Sequence, residues 1–407
     1  VSTATLAGTA PRLPTPSPRL TRAWWILTAL ALGRIGFGFQ YQTVASLGPA
    51  LIARFHLSYA AFGTLIGAYM LLGVFVALPL GLLGRRFGDR LILGAGLALM
   101  VVGAGLSAEA TTTAGIAAGR TVAGVGAVAM IVLQSKIIAD WFTGRHFMVA
   151  ISVSVCSYPI GMGLAALVLP PLGAAYGWPA GFAAGGVLMV AALVVFLASY
   201  RPQAQAAAVP RRFSLPSGQE ALLLLIAGGT WTAYTAGYAA YASYVPSLLA
   251  QRGQGLALTG LVMTIATWGN VPATLFGGGL AARYGALRIF LIGTAALVVG
   301  MAGTALTGGV IGWAILVGIV GSIHPGVIMA VGTLSARPEN RAVGMGIFYS
   351  LYYLGGSAAP ALCGRAADGY GGPAGGVLGA AALSALAFPL YLLHRRLARH
   401  ETMLVRA

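Results

Sequence analysis

The chain reads as an all-α membrane protein, twelve transmembrane helices in two pseudo-symmetric six-helix bundles, and three observations carry that reading. Of its 407 residues, 58% are hydrophobic and only 8% charged, with a mean hydropathy of +0.87. No soluble globular domain has that composition. Apolar stretches recur twelve times, each near or above the roughly 20 residues a helix needs to cross the hydrocarbon core. Features of the first six stretches also return in the last six at a nearly constant offset.

The first six stretches fall at about 24–52, 58–83, 91–108, 114–138, 147–170 and 177–199. The second six fall at 221–250, 256–281, 289–307, 309–334, 342–364 and 374–394. Their continuous apolar character indicates helices, because barrel strands alternate in segments of about ten residues. The 60 glycines fit closely packed helices in lipid. Residues 1–21, rich in Pro and Thr, read as a disordered cytoplasmic tail with no signal-peptide core. Residues 200–220, with Pro202, Pro210 and Pro216, read as a cytoplasmic linker between bundles at 22–199 and 221–394, and 395–407 as a second cytoplasmic tail.

The net charge of +17 reports topology rather than a nucleic-acid partner. With a cytoplasmic N-terminus, that side collects Arg85, Arg86, Arg90, Arg145, Arg283, Arg288 and Arg341, among others. The opposite side holds only Arg54, Arg252 and Arg365. Positive-inside bias therefore places both termini in the cytoplasm, with the chain in an inner or plasma membrane. Cys156 and Cys363 lie inside spans, which argues against a structural disulfide.

The repeat is visible in three places. Ser46-Leu-Gly-Pro49 in the first span returns as Ser243-Tyr-Val-Pro246 in the seventh. Gly81, Arg86 and Gly88 return as Gly278, Arg283 and Gly285, and Arg145 as Arg341. Two bundles related by an axis along the membrane normal are expected to form a transport path at their interface.

On these residues the chain resembles the major facilitator superfamily. The loop Gly81-Leu-Leu-Gly-Arg85-Arg86-Phe87-Gly88-Asp89-Arg90 is similar to the family's G-x-x-x-D-R-x-G-R-R element, with Arg85 where the family has Asp and an Asp at 89 instead. Arg120-Thr-Val-Ala-Gly124-Val-Gly126 is similar to its R-x-x-x-G-x-G element, and Tyr158-Pro159-Ile160-Gly161 partly echoes an antiporter signature. The stretches 157–163 and 344–353 look most like the cyanate and nitroimidazole-type branch. The resemblance implies alternating access by a monomer. It also implies conformational roles for Gly81, Arg85, Arg86, Gly88, Asp89, Arg120, Asp140 and Arg283, with Asp89 or Asp140 standing in for the displaced acid of an interhelical charge relay.

Inside the spans the ionisable residues are Arg34, Arg120, Lys136 and His324, while all seven acids fall outside. A guanidinium at bilayer depth costs at least roughly 3 kcal/mol, so it needs a partner or a task. Arg34 lies ten residues beyond Trp24, about 15 Å at helical rise and near the midplane. Its planar fork suits a carboxylate or oxyanion, which makes it the expected clamp for a small anionic substrate. Lys136 reads as an interface anchor. The further wall candidates are Gln40, Trp231, Tyr234, Tyr238, Tyr241, Asn270, His324, Tyr349 and Tyr353, chosen because phenols, amides and an imidazole in lipid need polar partners.

With no acid in the spans, exchange or facilitated flow is favoured, and proton symport through His324 is the alternative. No nucleotide loop, metal cluster or cofactor motif appears, so an ATP-driven pump or membrane enzyme finds no support. Two rivals remain: efflux of drugs or other hydrophobic compounds, and a non-transporting receptor or sensor built on the same helices.

Overall fold

The computed structural model describes residues 18–201, 216–337 and 340–404, and within them the side chains of a few residues, Arg85, Arg145 and Arg341 included, lie outside the description. All secondary structure among the described residues is helical, and it forms twelve passes. The first pass is α1 (Pro18–Ser46) and α2 (Gly48–Phe55), and the second is α3 (Tyr59–Gly67) and α4 (Gly73–Phe87). Passes three to seven are single helices: α5 (Asp89–Ala108), α6 (Thr113–Trp141), α7 (Gly144–Tyr176), α8 (Trp178–Ser199) and α9 (Gly218–Gln251). The eighth is α10 (Leu256–Trp268) with α11 (Asn270–Tyr284), and the ninth is α12 (Ala286–Leu306). The tenth combines α13 (Val310–Gly318), a 3₁₀ turn (Val320–Ser322) and α14 (Pro325–Leu334). The eleventh is α15 (Arg341–Tyr370), and the twelfth is α16 (Pro373–Ala385) with α17 (Ala387–Leu404).

Several boundaries differ from the sequence reading. Residues 18–21 join α1 instead of the tail, and 218–220 join α9 instead of the linker. There Ser217 and Glu220 form a reciprocal capping box that satisfies two otherwise orphaned N–H groups. The last helix runs on to Leu404, past the expected end at 394. Residues 1–17, 202–215 and 405–407 of the expected tails and linker lie outside the described residues.

The repeat has a backbone counterpart. Helices begin at Tyr59, Gly73 and Asp89 in the first half and at Leu256, Asn270 and Ala286 in the second, each pair 197 positions apart. Gly88 ends α4 with φ 89° and Gly285 ends α11 with φ 92°. This is left-handed territory where a Cβ is strained, which explains why the loop element keeps its glycine in both copies.

Four passes make up the seam between halves: the first, second, seventh and eleventh. Along it α3 packs on α15, and α1 and α2 pack on α9. A second seam joins α7 to α10. Gly63 and Gly67 of α3 leave no room for a Cβ against the carbonyls of Pro360 and Ser357 in α15. Among the described residues, eight passes are long and apolar enough to cross a membrane by composition alone. The four that are not are the first, second, seventh and eleventh, the same passes that form the first seam.

Candidate functional site between the bundles

Arg34 lies on α1 with its Nε buried, and neither Nε nor the rest of the guanidinium has a hydrogen-bond or ion-pair partner among the described residues. Its nearest polarisable neighbours are rings, Phe37 at 5.3 Å and Tyr158 of α7 at 5.6 Å from the guanidinium carbon. Across the seam its charge acts on Tyr349, Tyr352 and Tyr353 of α15. A donor-rich cation therefore lies between the halves with no hydrogen bond made among the described residues.

Arg120 has the opposite surroundings. It is 2% exposed, and its guanidinium donates to the carbonyls of Leu65 (2.6 Å), Gln40 (3.1 Å), Ile66 (3.2 Å) and Tyr41 (3.4 Å). These acceptors belong to α1 and α3, and the charge also lies 5.0 Å from the Tyr69 ring. Arg120 ties three helices of one half together and commits four of its five donors to backbone carbonyls.

Gln40 is committed in the same way, contrary to its expected place in the substrate wall. Its amide donates to the Met100 and Gly185 carbonyls and accepts from the Tyr69 hydroxyl. A small crevice adjoins it, lined by Thr43, Tyr69, Ser107 and Arg120 but not by Arg34. The aromatic stripe on α9 also turns into its own half. Tyr238 donates to the Ala266 carbonyl at 2.8 Å, Tyr241 bonds Thr304 at 3.3 Å, and Tyr234 accepts from Asn270 at 3.2 Å. Tyr238 and Tyr241 are thus spent on helix packing rather than left to line a path.

Asn270 organises the break between α10 and α11, donating to Tyr234 and to Ser322 (3.1 Å) and accepting from Thr274 (3.1 Å). His324, fully buried at the start of α14, sits edge-on to Tyr234 with ring centroids 4.8 Å apart, and no side-chain partner meets either ring nitrogen. Trp231 packs on Phe348 and Tyr234, and its indole N–H is buried without an acceptor. Tyr349 is half-buried and Tyr353 buried, the latter with its ring against Gly73 of α4. Sequence reasoning omitted Tyr158 and Tyr352 from the wall. The signal for Tyr352 was present, since positions 349, 352 and 353 share one helix face.

The expectations for the loop after the second pass resolve unevenly. Asp89 is buried at the first turn of α5 and pairs with Lys136 of α6 at 2.6 Å, while Asp140 stands 4.0 Å from the same lysine. Lys136 is therefore an ion-pair partner inside one half rather than only an interface anchor. Gly81 faces Val132 of α6, and Arg86 and Arg283 lie over their neighbouring rings Phe87 and Tyr284 at 5.3 Å each. The Arg85 side chain lies outside the described residues. Glu220 accepts from the backbone N–H groups of Ser217 and Arg337 and from Asn340. Burial alone would raise its pKa, but these donors outweigh burial and hold it below the ordinary glutamate value.

The two ends of the seam differ. At the end away from the termini, both carboxylate oxygens of Asp368 (α15) accept from the first turn of α3, from Tyr59 N–H at 2.7 Å and Ala60 N–H at 3.0 Å. Tyr244 of α9 reaches the carbonyls of Pro360 (2.6 Å) and Tyr59 (3.0 Å), and Gln42 of α1 donates to Ala242 of α9 (3.0 Å). Nearer the middle, Trp268 donates to the Ile160 carbonyl at 3.2 Å. At the end bearing the termini, no hydrogen bond or ion pair joins the halves among the described residues.

Two helical bundles sealed at one end around an unpartnered central cation define a membrane transporter. A family model described as Major Facilitator Superfamily matches residues 30–360 and 221–402, and the chain belongs to that superfamily. It is 26% identical over 375 residues to the uncharacterized transporter YycB of Bacillus subtilis (strain 168), covering 88% of this chain and 90% of that one. It is 24% identical over 357 residues to the multidrug efflux protein YfmO of the same strain, covering 85% and 86%. It is 26% identical over 368 residues to the 3-(3-hydroxy-phenyl)propionate transporter of Escherichia coli (strain K12), covering 86% and 89%. A bacterial homolog of the human lysosomal transporter Spinster, solved inward-facing and unoccupied, superposes with a TM-score of 0.75 at 14% identity over 94% of this chain and 98% of that one, a likeness of fold.

Proposed function

We propose that this chain is a secondary transporter that moves a small organic or inorganic anion by alternating access, with Arg34 as its charge clamp. The observation that carries the reading is the Arg34 guanidinium, which meets aromatic rings and makes no hydrogen bond or ion pair among the described residues. The acids of the described passes, Asp89, Asp140, Glu220 and Asp368 among them, lie near helix ends, so none stands mid-span as a partner for a cationic substrate. With both termini cytoplasmic, the end sealed by Asp368 is the outer one, and the conformation is closed outside and open inside. The hydroxyphenylpropionate transporter among the relatives is named for an organic anion, which agrees with this reading.

A second reading, efflux of hydrophobic compounds, draws on the aromatic ring cluster around Arg34 and on the relative named for multidrug efflux. Thermal unfolding of the purified chain with a panel of anions and of lipophilic cations, run beside Arg34→Ala, separates the two. A ligand that binds only the folded state raises its stability. Stabilisation by anions that vanishes in Arg34→Ala supports anion transport, whereas stabilisation by lipophilic cations in both proteins supports efflux.

A further inference from the structure

Arg34 is surrounded by donors. The hydroxyls of Tyr158, Tyr349, Tyr352 and Tyr353 make no hydrogen bond among the described residues, and each of these phenols feels the Arg34 charge. The rings form two groups, Tyr158 with Phe37 on the first-half side and the Tyr349–Tyr352–Tyr353 run on α15. Phe37 lies 4.7 Å from Tyr158, Tyr349 lies 6.2 Å from Tyr352, and Tyr352 lies 5.2 Å from Tyr353. A phenol is both donor and acceptor, yet beside a guanidinium its oxygen turns inward and its proton outward, toward whatever anion arrives. The patch thus offers one full positive charge, several O–H donors and an apolar floor.

The other cations within the spans add nothing to that charge. Arg120 gives its donors to four carbonyls, and Lys136 is paired with Asp89. From this we infer that the site is built for a singly charged anion with a flat apolar body, a monocarboxylate on a ring, and that Tyr349 and Tyr352 set its specificity by donating to the carboxylate. The inference rests on the transport reading above and narrows it. One guanidinium neutralises one carboxylate, while a second carboxylate would be left uncompensated in a low-dielectric space. An uncharged analogue of the same shape would leave Arg34 as it is now, without a partner.

The test is binding to the purified full chain, read by titration calorimetry at pH 7.5, with benzoate, phthalate, benzamide and acetate as probes. Benzoate is expected to bind at least about ten-fold more tightly than the dianion phthalate or neutral benzamide, and more tightly than acetate, which lacks the ring. Tyr352→Phe and Tyr349→Phe keep the rings and remove the hydroxyls. Each is expected to weaken benzoate by roughly five- to ten-fold, with unchanged thermal unfolding in the absence of ligand. Phthalate binding as tightly as benzoate through Arg34, or tyrosine variants with unaltered affinity, overturns this inference while leaving anion transport intact. If Arg34→Lys and Arg34→Gln bind every probe as the parent does, the role of Arg34 as charge clamp falls as well; if none of the probes binds the parent, this inference is overturned and anion transport is left intact.

Discussion

Two arginines in the same half of this molecule, Arg120 buried and Arg34 half-buried, show how differently a membrane protein can use one charge. Arg120 donates to four carbonyls from two neighbouring helices, and Arg34 donates to none. A guanidinium surrounded by carbonyls belongs to the fold, because its hydrogen bonds offset the cost of removing it from water. A guanidinium that keeps that cost unrelieved is retained for something the protein binds. Arg120 is buried and Arg34 half-buried, and the sharper distinction between them is the set of acceptors.

The comparison can be broken most sharply by truncating each in turn. Arg34→Ala is expected to lower substrate flux in proteoliposomes by about 100-fold while moving unfolding stability by less than about 1 kcal/mol, since no protein partner is left behind. Arg120→Ala should do the reverse in kind, costing about 3 kcal/mol in equilibrium unfolding because α1, α3 and α6 lose their shared tie. Equal destabilisation by the two substitutions would show that the contrast between their surroundings has no energetic content.

This contrast also marks what the sequence could and could not reveal. Arg34 was legible as an exceptional residue because a charge ten residues into an apolar run is conspicuous without any partner being known. The role of Arg120 was not, since its acceptors are backbone carbonyls 54 to 80 positions away, and a carbonyl carries no residue identity. Gln40 and Tyr241 failed as wall residues for the same reason. Polarity in a span announces a need for a partner but not whether the partner is a neighbouring helix or a ligand. Eight of the twelve passes are long and apolar enough to be read from composition, and Pro325 announces the break ahead of α14, whereas the break at 68–72 contains no proline or glycine to announce it.

The seam offers a second comparison, between its sealed and unsealed ends. Asp368 places a carboxylate on the first turn of α3, where exposed N–H groups and the helix dipole both favour negative charge. Asp368→Ala is expected to shift the population toward opening of that end by roughly ten-fold, the effect of losing a charged hydrogen-bond pair. Ser247→Cys, buried beside Gly48 in the same seam, reports the change in a background without Cys156 and Cys363. Faster labelling of that cysteine by a membrane-impermeant thiol reagent in the Asp368→Ala chain is the expected outcome. An unchanged rate would remove Asp368 from the seal.

At the opposite end, the buried acids bond only within their own halves. Glu220 collects donors from Ser217, Arg337 and Asn340, all in the second bundle, and they hold its pKa below the ordinary value of 4.5. A carboxylate whose folded pKa is depressed contributes stability above its unfolded pKa and loses it as pH falls through the folded one. The Glu220 contribution should therefore be complete at neutral pH and fade on acidification below about pH 4.5. Glu220→Gln should be less stable than the parent at pH 7 and should converge with it in acid, by about 1 kcal/mol at most. Because Glu220 does not touch the first bundle, the same substitution should leave the labelling rate of Ser247→Cys unchanged, in contrast to Asp368→Ala. A change in that rate would show that the two ends of the seam are coupled through α9.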